Sequence, residues 1–283
     1  VKLSAFSLEA TRPSPDELDR LREFLLPQTP IYLSRVPAES SREQAGTAVK
    51  IRRAGYEPVA HIAARRLVSA QELAEFLSYA TEEAGMRRVL VIAGDGAPSG
   101  PFENSLAVIR SGKLREAGIE EIGIAAYPEP HPKIDQAVLL RAMHDKITAA
   151  KDAGLRLHIV SQFSFVPEAI LGWLRRLRAS GVDVPVQVGM AGPTKLPALL
   201  RYAMRCGVQA SMQGLMSGAA AMLAGQATKN VGPDRIVDAL RGAGTEIGDV
   251  APHYFSFGGL NDTARYAVTV AQSAGQRAIK LTN

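Results

Sequence analysis

Short apolar runs rich in β-branched residues alternate with longer amphipathic segments along the whole chain, and this alternation constrains the fold more than any other feature. The runs are Leu3–Ala10, Ile31–Val36, Pro58–Ala64, Arg88–Ala93, Glu121–Ala126, Leu157–Phe163, Val184–Met190 and Tyr254–Phe257. The segments between them carry helix start signals. Ser14-Pro15-Asp16-Glu17 reads as a capping box with Pro at the first helical position, followed by Leu18, Leu21 and Leu25. Ser41-Arg42-Glu43-Gln44 and Ser69-Ala70-Gln71-Glu72 read as two more. After Ser69, the residues Leu73, Phe76, Leu77 and Ala80 recur on one helical face. Gly55, Gly85, Gly118, Gly154 and Gly181 each close a helical segment shortly before the next strand, where a left-handed residue ends a helix. A βα unit of roughly 30 residues repeated eight times predicts an α/β fold, a (β/α)8 TIM barrel. An open doubly wound sheet is the alternative. Gly207–Gly248 is less regular, with two helical stretches between the seventh and eighth strands.

Eight units account for nearly all of the 283 residues, and no linker or low-complexity run divides them. A single domain over 1–283 is therefore expected. At 46% hydrophobic residues the chain is too apolar for disorder, and its one cysteine, Cys206, excludes a disulfide framework. That lone thiol fits a reducing cytoplasm, the expected location. The most apolar stretches, Val89–Ala93 and Leu215–Gly225, are too short or too rich in small residues to cross a bilayer. The opening VKLSAF has no apolar core of a signal peptide, so none is expected. The net charge of +5 is spread along the chain and makes no case for nucleic acid. The oligomeric state is left open, a homo-oligomer included.

In such a barrel, chemistry sits where the strands end. Those positions hold Glu9, Arg35, His61 to Arg66, Gly94-Asp95, Tyr127 to His131, Ser161-Gln162 and Gly189 to Pro193. Each has a plain and a functional reading. Glu9 is either a rim carboxylate paired with Arg or, with its pKa raised by desolvation, a general acid. Asp95 is either part of an Asp-Gly turn or a carboxylate of the site. Tyr127-Pro128-Glu129-Pro130-His131-Pro132 is either a loop made rigid by proline or a platform on which a planar ligand stacks. His61 is either a satisfied core histidine or a site residue. No histidine pair at i,i+4 and no Cys partner exists, so no metal is expected. Neither a phosphate loop nor a Gly-x-Ser-x-Gly elbow occurs. A polar barrel mouth without nucleophile or metal points to an organic cofactor.

Ala125-Ala126-Tyr127-Pro128-Glu129-Pro130-His131-Pro132 resembles the Ala-x-Tyr-Pro-Glu-x-His-Pro segment of the 5,10-methylenetetrahydrofolate reductase family, flavin-dependent barrels. Other segments follow in the family's order. Ser7-Leu8-Glu9 is similar to its Ser-Phe-Glu, Ala60-His61-Ile62 to its Pro-His-Leu, and Val91–Asp95 to its Leu-Arg-Gly-Asp strand end. Lys151-Asp152-Ala153-Gly154 and Val160-Ser161-Gln162-Phe163 resemble its Lys-x-x-Ala-Gly and Thr-Gln-Phe-Phe. Val184–Met190 resembles its Pro-Ile-x-Pro-Gly-Ile-Met. The likeness runs from about residue 3 to 205, with a weaker echo at Tyr254–Asn261.

The resemblance implies an FAD oxidoreductase that interconverts 5,10-methylenetetrahydrofolate and 5-methyltetrahydrofolate by hydride transfer. It implies Glu9 as the general acid, Asp95 as the carboxylate beside flavin and pterin, and Gln162 as the amide on the pterin. It implies His61, Gly94, Tyr127, His131 and Lys151 around FAD. Departures accompany it. Ala93 stands where the family has Arg, and Arg35-Val36-Pro37 where it has Thr-Tyr-Gly, a segment that helps receive the nicotinamide nucleotide. Weak or absent NADH use is therefore expected, with the NAD(P)H donor left open and a methyltetrahydrofolate oxidase as the resulting role. A flavin- or folate-binding barrel without turnover, and a flavin-free barrel lyase or aldolase, are the alternatives.

Overall fold

A computed structural model describes residues 1–36, 39–206, 208 and 230–282. Among them are the strands β1 (Ser7–Ala10), β2 (Pro30–Leu33), β3 (Glu57–Ala63), β4 (Arg88–Ile92), β5 (Glu121–Ala126), β6 (Arg156–Ser161), β7 (Val186–Ala191) and β10 (Val250–Phe255). They hydrogen-bond in the order β1-β10-β7-β6-β5-β4-β3-β2 and close into a barrel. Closure excludes the open doubly wound sheet and establishes the (β/α)8 TIM-barrel fold. Each predicted run contributes one strand. Two short strands, β8 (Thr194–Lys195) and β9 (Asn230–Val231), pair antiparallel apart from it.

The chain separates into two compact units. One comprises Glu9–Ala125 and Ala137–Ile159; the other comprises Val1–Leu8, Ala126–Gln136 and Val160–Asn283. In the first, β2, β3, β4 and β5 run parallel, with Leu33 opposite Ala60, His61 opposite Leu90 and Arg88 opposite Glu121. Ile31, Val59, Val89, Val91, Ile122 and Ile124 are fully buried. Strands covered on both faces read as continuous apolar runs rather than alternating ones, and so these were conspicuous in the sequence.

The helices of this unit begin largely as their caps dictate. Ser14 accepts from the Glu17 N–H while the Glu17 carboxylate accepts from the Ser14 N–H, starting α1 (Pro15–Leu21). For α2 (Ser41–Arg53) the cap is Ser40 with Glu43, one residue earlier than Ser41 with Gln44. Ser41 and Gln44 face inward, both buried. Ser69 caps α3 (Ala70–Ala84), but Glu72 completes no box. Its carboxylate accepts from the Val68 N–H and pairs with the Ser41 hydroxyl. Gly55, Gly85, Gly118, Gly154 and Gly181 all have positive φ, the conformation the helix stops require. The remaining described helices are α4 (Ser105–Arg110), α5 (Lys113–Glu116), α6 (Gln136–Asp152), α7 (Pro167–Ala179), α8 (Leu196–Arg205), α9 (Asp234–Gly242) and α10 (Leu260–Thr282).

Where the strands of this unit start, charges interlock. Glu57, Arg88, Glu121 and Arg156 are the first residues of β3 to β6. Arg88 lies 3.1 Å from Glu121 and 3.6 Å from Glu57, and His158 Nδ1 is 2.8 Å from Glu121. Tyr32 Oη hydrogen-bonds His158 Nε2 at 2.8 Å. Burial opposes charge on Glu121, but the hydrogen bond from His158 and the charge of Arg88 hold its pKa at about 2. A Cβ on Gly123 would come within 2.7 Å of His158 Nε2, so the imidazole is packed against bare backbone.

In the other unit β7 and β10 pair in parallel from Val186 opposite Val250 to Ala191 opposite Phe255. Pro252 sits within β10, opposite Val188, and hides the first half of this strand from a pattern search. Ser7, on β1, donates its hydroxyl to Gln187 Oε1 and meets His253 Nδ1, both at 2.8 Å. Of the irregular stretch Gly207–Gly248, α9 and a 3-10 turn at Thr245–Ile247 are described. The apolar stretch Leu215–Gly225 lies outside the described residues. Among the described residues, no helix is long and apolar enough to cross a membrane.

Candidate functional site

Three strand ends of the first unit build a polar cluster. Glu9 is the penultimate residue of β1, with its side chain 14% exposed. Ser34 follows β2 and donates its hydroxyl to Glu9 Oε1 at 2.7 Å. From β3, His61 brings Nε2 to 3.4 Å from Glu9 Oε2. His61 is itself held in place. The buried Gln44 of α2 donates to the His61 and Leu33 carbonyls, and the Tyr32 ring meets the imidazole edge-on at 6.2 Å. His61 is thus a buried histidine that faces a carboxylate.

Gly94 and Asp95 follow β4. Gly94 has φ +81°, and a Cβ there would press to 3.2 Å from Ala63 Cβ, so the backbone turns tightly against β3. Asp95 is exposed. Arg65 braces the adjoining loop: its N–H reaches the Ala93 carbonyl at 2.9 Å and its Nε the Glu103 carbonyl at 2.8 Å. Arg35, at the end of β2, is turned onto the helices. It donates to Ser41 and Gln44 and lies 3.8 Å from Glu72, with a side chain 9% exposed. Burial lowers its pKa, against the raising influence of Glu72 and Glu39. Pro37 lies outside the described residues.

Lys151 is placed elsewhere. It sits exposed in the last turn of α6, just before β6 begins, and so beside the strand starts rather than the strand ends. That position does not fit the pyrophosphate contact the resemblance implies. Ser34 lies inside the run Ile31–Val36, and nothing in the sequence singles it out as a site residue. Among the described residues no group of His, Cys, Asp and Glu could hold a metal ion.

The second unit has its own shallow cleft, lined by Tyr127 to Pro132, Gln162, Phe163, Cys206 and Val208. Tyr127 and His131 meet edge-to-face at 4.8 Å, and His131 Nδ1 accepts from the Lys133 N–H at 3.1 Å. The Gln162 N–H continues the sheet by donating to the Ala126 carbonyl at 2.8 Å. Its Oε1 accepts from the Phe163 N–H at 3.1 Å. Ser161 Oγ accepts from the Gly189 N–H at 2.9 Å, and a Cβ on Gly189 would collide with the Ser161 carbonyl at 2.2 Å. Behind Gln162 stand aromatic rings: Phe163 contacts Phe165, Phe255 and Phe257, and Phe257 stacks on Tyr202 at 4.1 Å. Tyr127, His131 and Gln162 thus share one cleft, and the aromatic wall beside them was not foreseen.

Residues 36–247 match the methylenetetrahydrofolate reductase family. The 5,10-methylenetetrahydrofolate reductase of Pectobacterium carotovorum subsp. carotovorum is 33% identical over 123 residues, 43% of this chain and 39% of that protein. Methylenetetrahydrofolate reductase 2 of Saccharomyces cerevisiae is 28% identical over 131 residues, 42% of this chain and 21% of that protein. The match therefore spans well under two thirds of either relative. Among solved structures, an uncharacterized protein from Clostridium thermocellum that binds two copies of 5-methyl-5,6,7,8-tetrahydrofolic acid gives a TM-score of 0.60 at 11% identity, covering 95% of this chain and 94% of that one. A Yersinia pestis DHPS with a pterine-sulfa conjugate gives 0.52 at 13% identity, covering 98% and 96%. Identities this low show a shared fold.

Proposed function

This chain belongs to the methylenetetrahydrofolate reductase family, and from that premise we propose that it moves a hydride between a flavin, FAD, and the one-carbon unit of tetrahydrofolate. The observation that carries the reading is Glu9, a largely buried carboxylate at a strand end, gripped by Ser34 and faced by His61. A desolvated, oriented carboxyl group is what proton transfer to or from a substrate nitrogen needs. Glu9 protonates the N10 side as the five-membered ring of 5,10-methylenetetrahydrofolate opens, and takes that proton back when 5-methyltetrahydrofolate is oxidised. Asp95 is assigned to flavin and pterin, and Gln162 to the pterin. With Gln162 Oε1 engaged by the Phe163 N–H, its Nε2 is the donor it offers.

The residues suit the ring of a flavin better than its phosphates. Tyr127 and His131, a half-exposed edge-to-face pair, suit a planar ring, and His61 and Gly94 carry the same assignment from the family pattern. Ala93 replaces an Arg that lies along the cofactor in the family pattern, and Lys151, the residue matched to the pyrophosphate, sits beside the strand starts. A bound flavin supplies the hydride acceptor and donor; the chain supplies orientation and the proton. Arg35, tied to Ser41 and Gln44, is not arranged to receive a nicotinamide, which favours a methyltetrahydrofolate oxidase passing electrons to another acceptor. The chain acts in this reading as a single catalytic domain in the cytoplasm.

The test is spectroscopic. Protein loaded with FAD is mixed anaerobically with 5-methyltetrahydrofolate and, separately, with micromolar NADH. Bleaching of the flavin band by the folate, and slow or no bleaching by NADH, is expected. Flavin that stays oxidised under the folate contradicts the hydride reading, and rapid bleaching by NADH contradicts the nicotinamide part.

A further inference from the structure

Ser34 joins the end of β2 to the end of β1 twice. Its N–H donates to the Ala10 carbonyl at 3.1 Å, and its hydroxyl donates to Glu9 Oε1 at 2.7 Å. The main-chain bond fixes the Ser34 backbone beside β1, so the hydroxyl reaches the carboxylate with one torsion left to order. Glu9 Oε2 is addressed from a different strand, by His61 Nε2 at 3.4 Å. The neighbouring cation does not compete for the position, since the Arg35 guanidinium is drawn to Ser41, Gln44 and Glu72. Glutamate has three rotatable bonds, and proton transfer needs donor and acceptor held within about 3.2 Å of each other. A carboxylate free to swing would lose much of that geometry.

We propose that Ser34 is a positioning residue, which holds Glu9 in the rotamer from which it exchanges a proton with the bridging nitrogen of a reduced folate. The inference rests on the assignment of Glu9 made above. In the ring-opening direction the O–H bond of Glu9 breaks and an N–H bond forms on the N10 side; ring closure reverses this. Ser34 keeps its own proton throughout. Its contribution is a hydrogen bond to a charged acceptor, among the stronger kinds in proteins.

The experiment measures steady-state oxidation of 5-methyltetrahydrofolate with a dye acceptor, alongside folate affinity by calorimetry and the melting transition of each variant. Ser34→Ala is expected to lower kcat by roughly ten- to a hundredfold, with KM and the folate Kd unchanged within about twofold. Ser34→Thr, which keeps the hydroxyl, is expected to recover most of the loss. On a Glu9→Gln background, Ser34→Ala is expected to change nothing further, because the two act as one unit. Full kcat in Ser34→Ala, a rise in KM alone, or independent losses in the double variant overturn the proposal while leaving Glu9 in its role. Full turnover in Glu9→Gln, or none in the unaltered chain, removes the assignment of Glu9 and the proposal with it.

Discussion

The two ends of the strands in the Glu9–Ala125 unit use charge in opposite ways. At the starting ends Glu57, Arg88, Glu121, Arg156 and His158 satisfy one another, and Glu121 is held at a pKa of about 2. At the finishing ends a carboxylate, Glu9, meets a hydroxyl and an imidazole, while Asp95 stands exposed. A carboxylate locked between cations stays ionised through the physiological range and cannot trade protons there. One held by the Ser34 hydroxyl and faced by His61 is oriented by a hydrogen bond from a neutral group. The starting end is therefore read as stability and the finishing end as chemistry, the division expected of this fold.

Substitutions can break the comparison. Glu121→Gln leaves His158 and Arg88 without their shared counter-charge and is expected to cost about 3 kcal/mol in urea unfolding. The pH dependence should follow. Because the folded pKa of Glu121 lies at about 2, below the ordinary 4.5, its stabilisation is complete above the higher value and disappears as pH falls through the lower one. Acid titration of the unaltered chain should lose stability across that window, and Glu121→Gln should flatten that part of the curve. A flat curve in the unaltered chain would mean that the cluster contributes nothing net. Gly94→Ala, at φ +81°, should cost about 1–2 kcal/mol by thermal unfolding. An unchanged melting temperature would deny the tight turn after β4. Arg156→Ala, whose side chain is 69% exposed, should change stability by no more than about 0.5 kcal/mol, and a larger loss would make it a full member of the cluster.

Particular residues show what was legible in the sequence and what was hidden. Burial on both faces writes strands as unbroken apolar runs, so Glu121–Ala126 was bounded correctly. Pro252 and His253 broke that pattern, and β10 was visible only from Tyr254. The α2 cap was misread by one residue, because Ser40-Ser41 offers two hydroxyls and only the fold decides which turns inward. Lys151 is implied only by the resemblance of Lys151-Asp152-Ala153-Gly154 to a family segment, which ends in the helix stop at Gly154. A stop before a strand marks the end at which strands begin, the wrong end for a ligand of the barrel mouth. Glu9 could be chosen from the sequence, but Ser34 could not be attached to it, since that bond joins residues from different strands. The aromatic wall of Phe163, Phe255, Phe257 and Tyr202 was hidden for the same reason.

Glu9→Gln tests the central claim most directly. The substitution keeps the shape of the side chain and removes its proton chemistry, so bound flavin and the melting temperature should be retained. Folate-linked turnover should fall by roughly 100- to 10,000-fold. Turnover that persists at the level of the unaltered chain would contradict the account, because the proton would then be handled somewhere other than the end of β1.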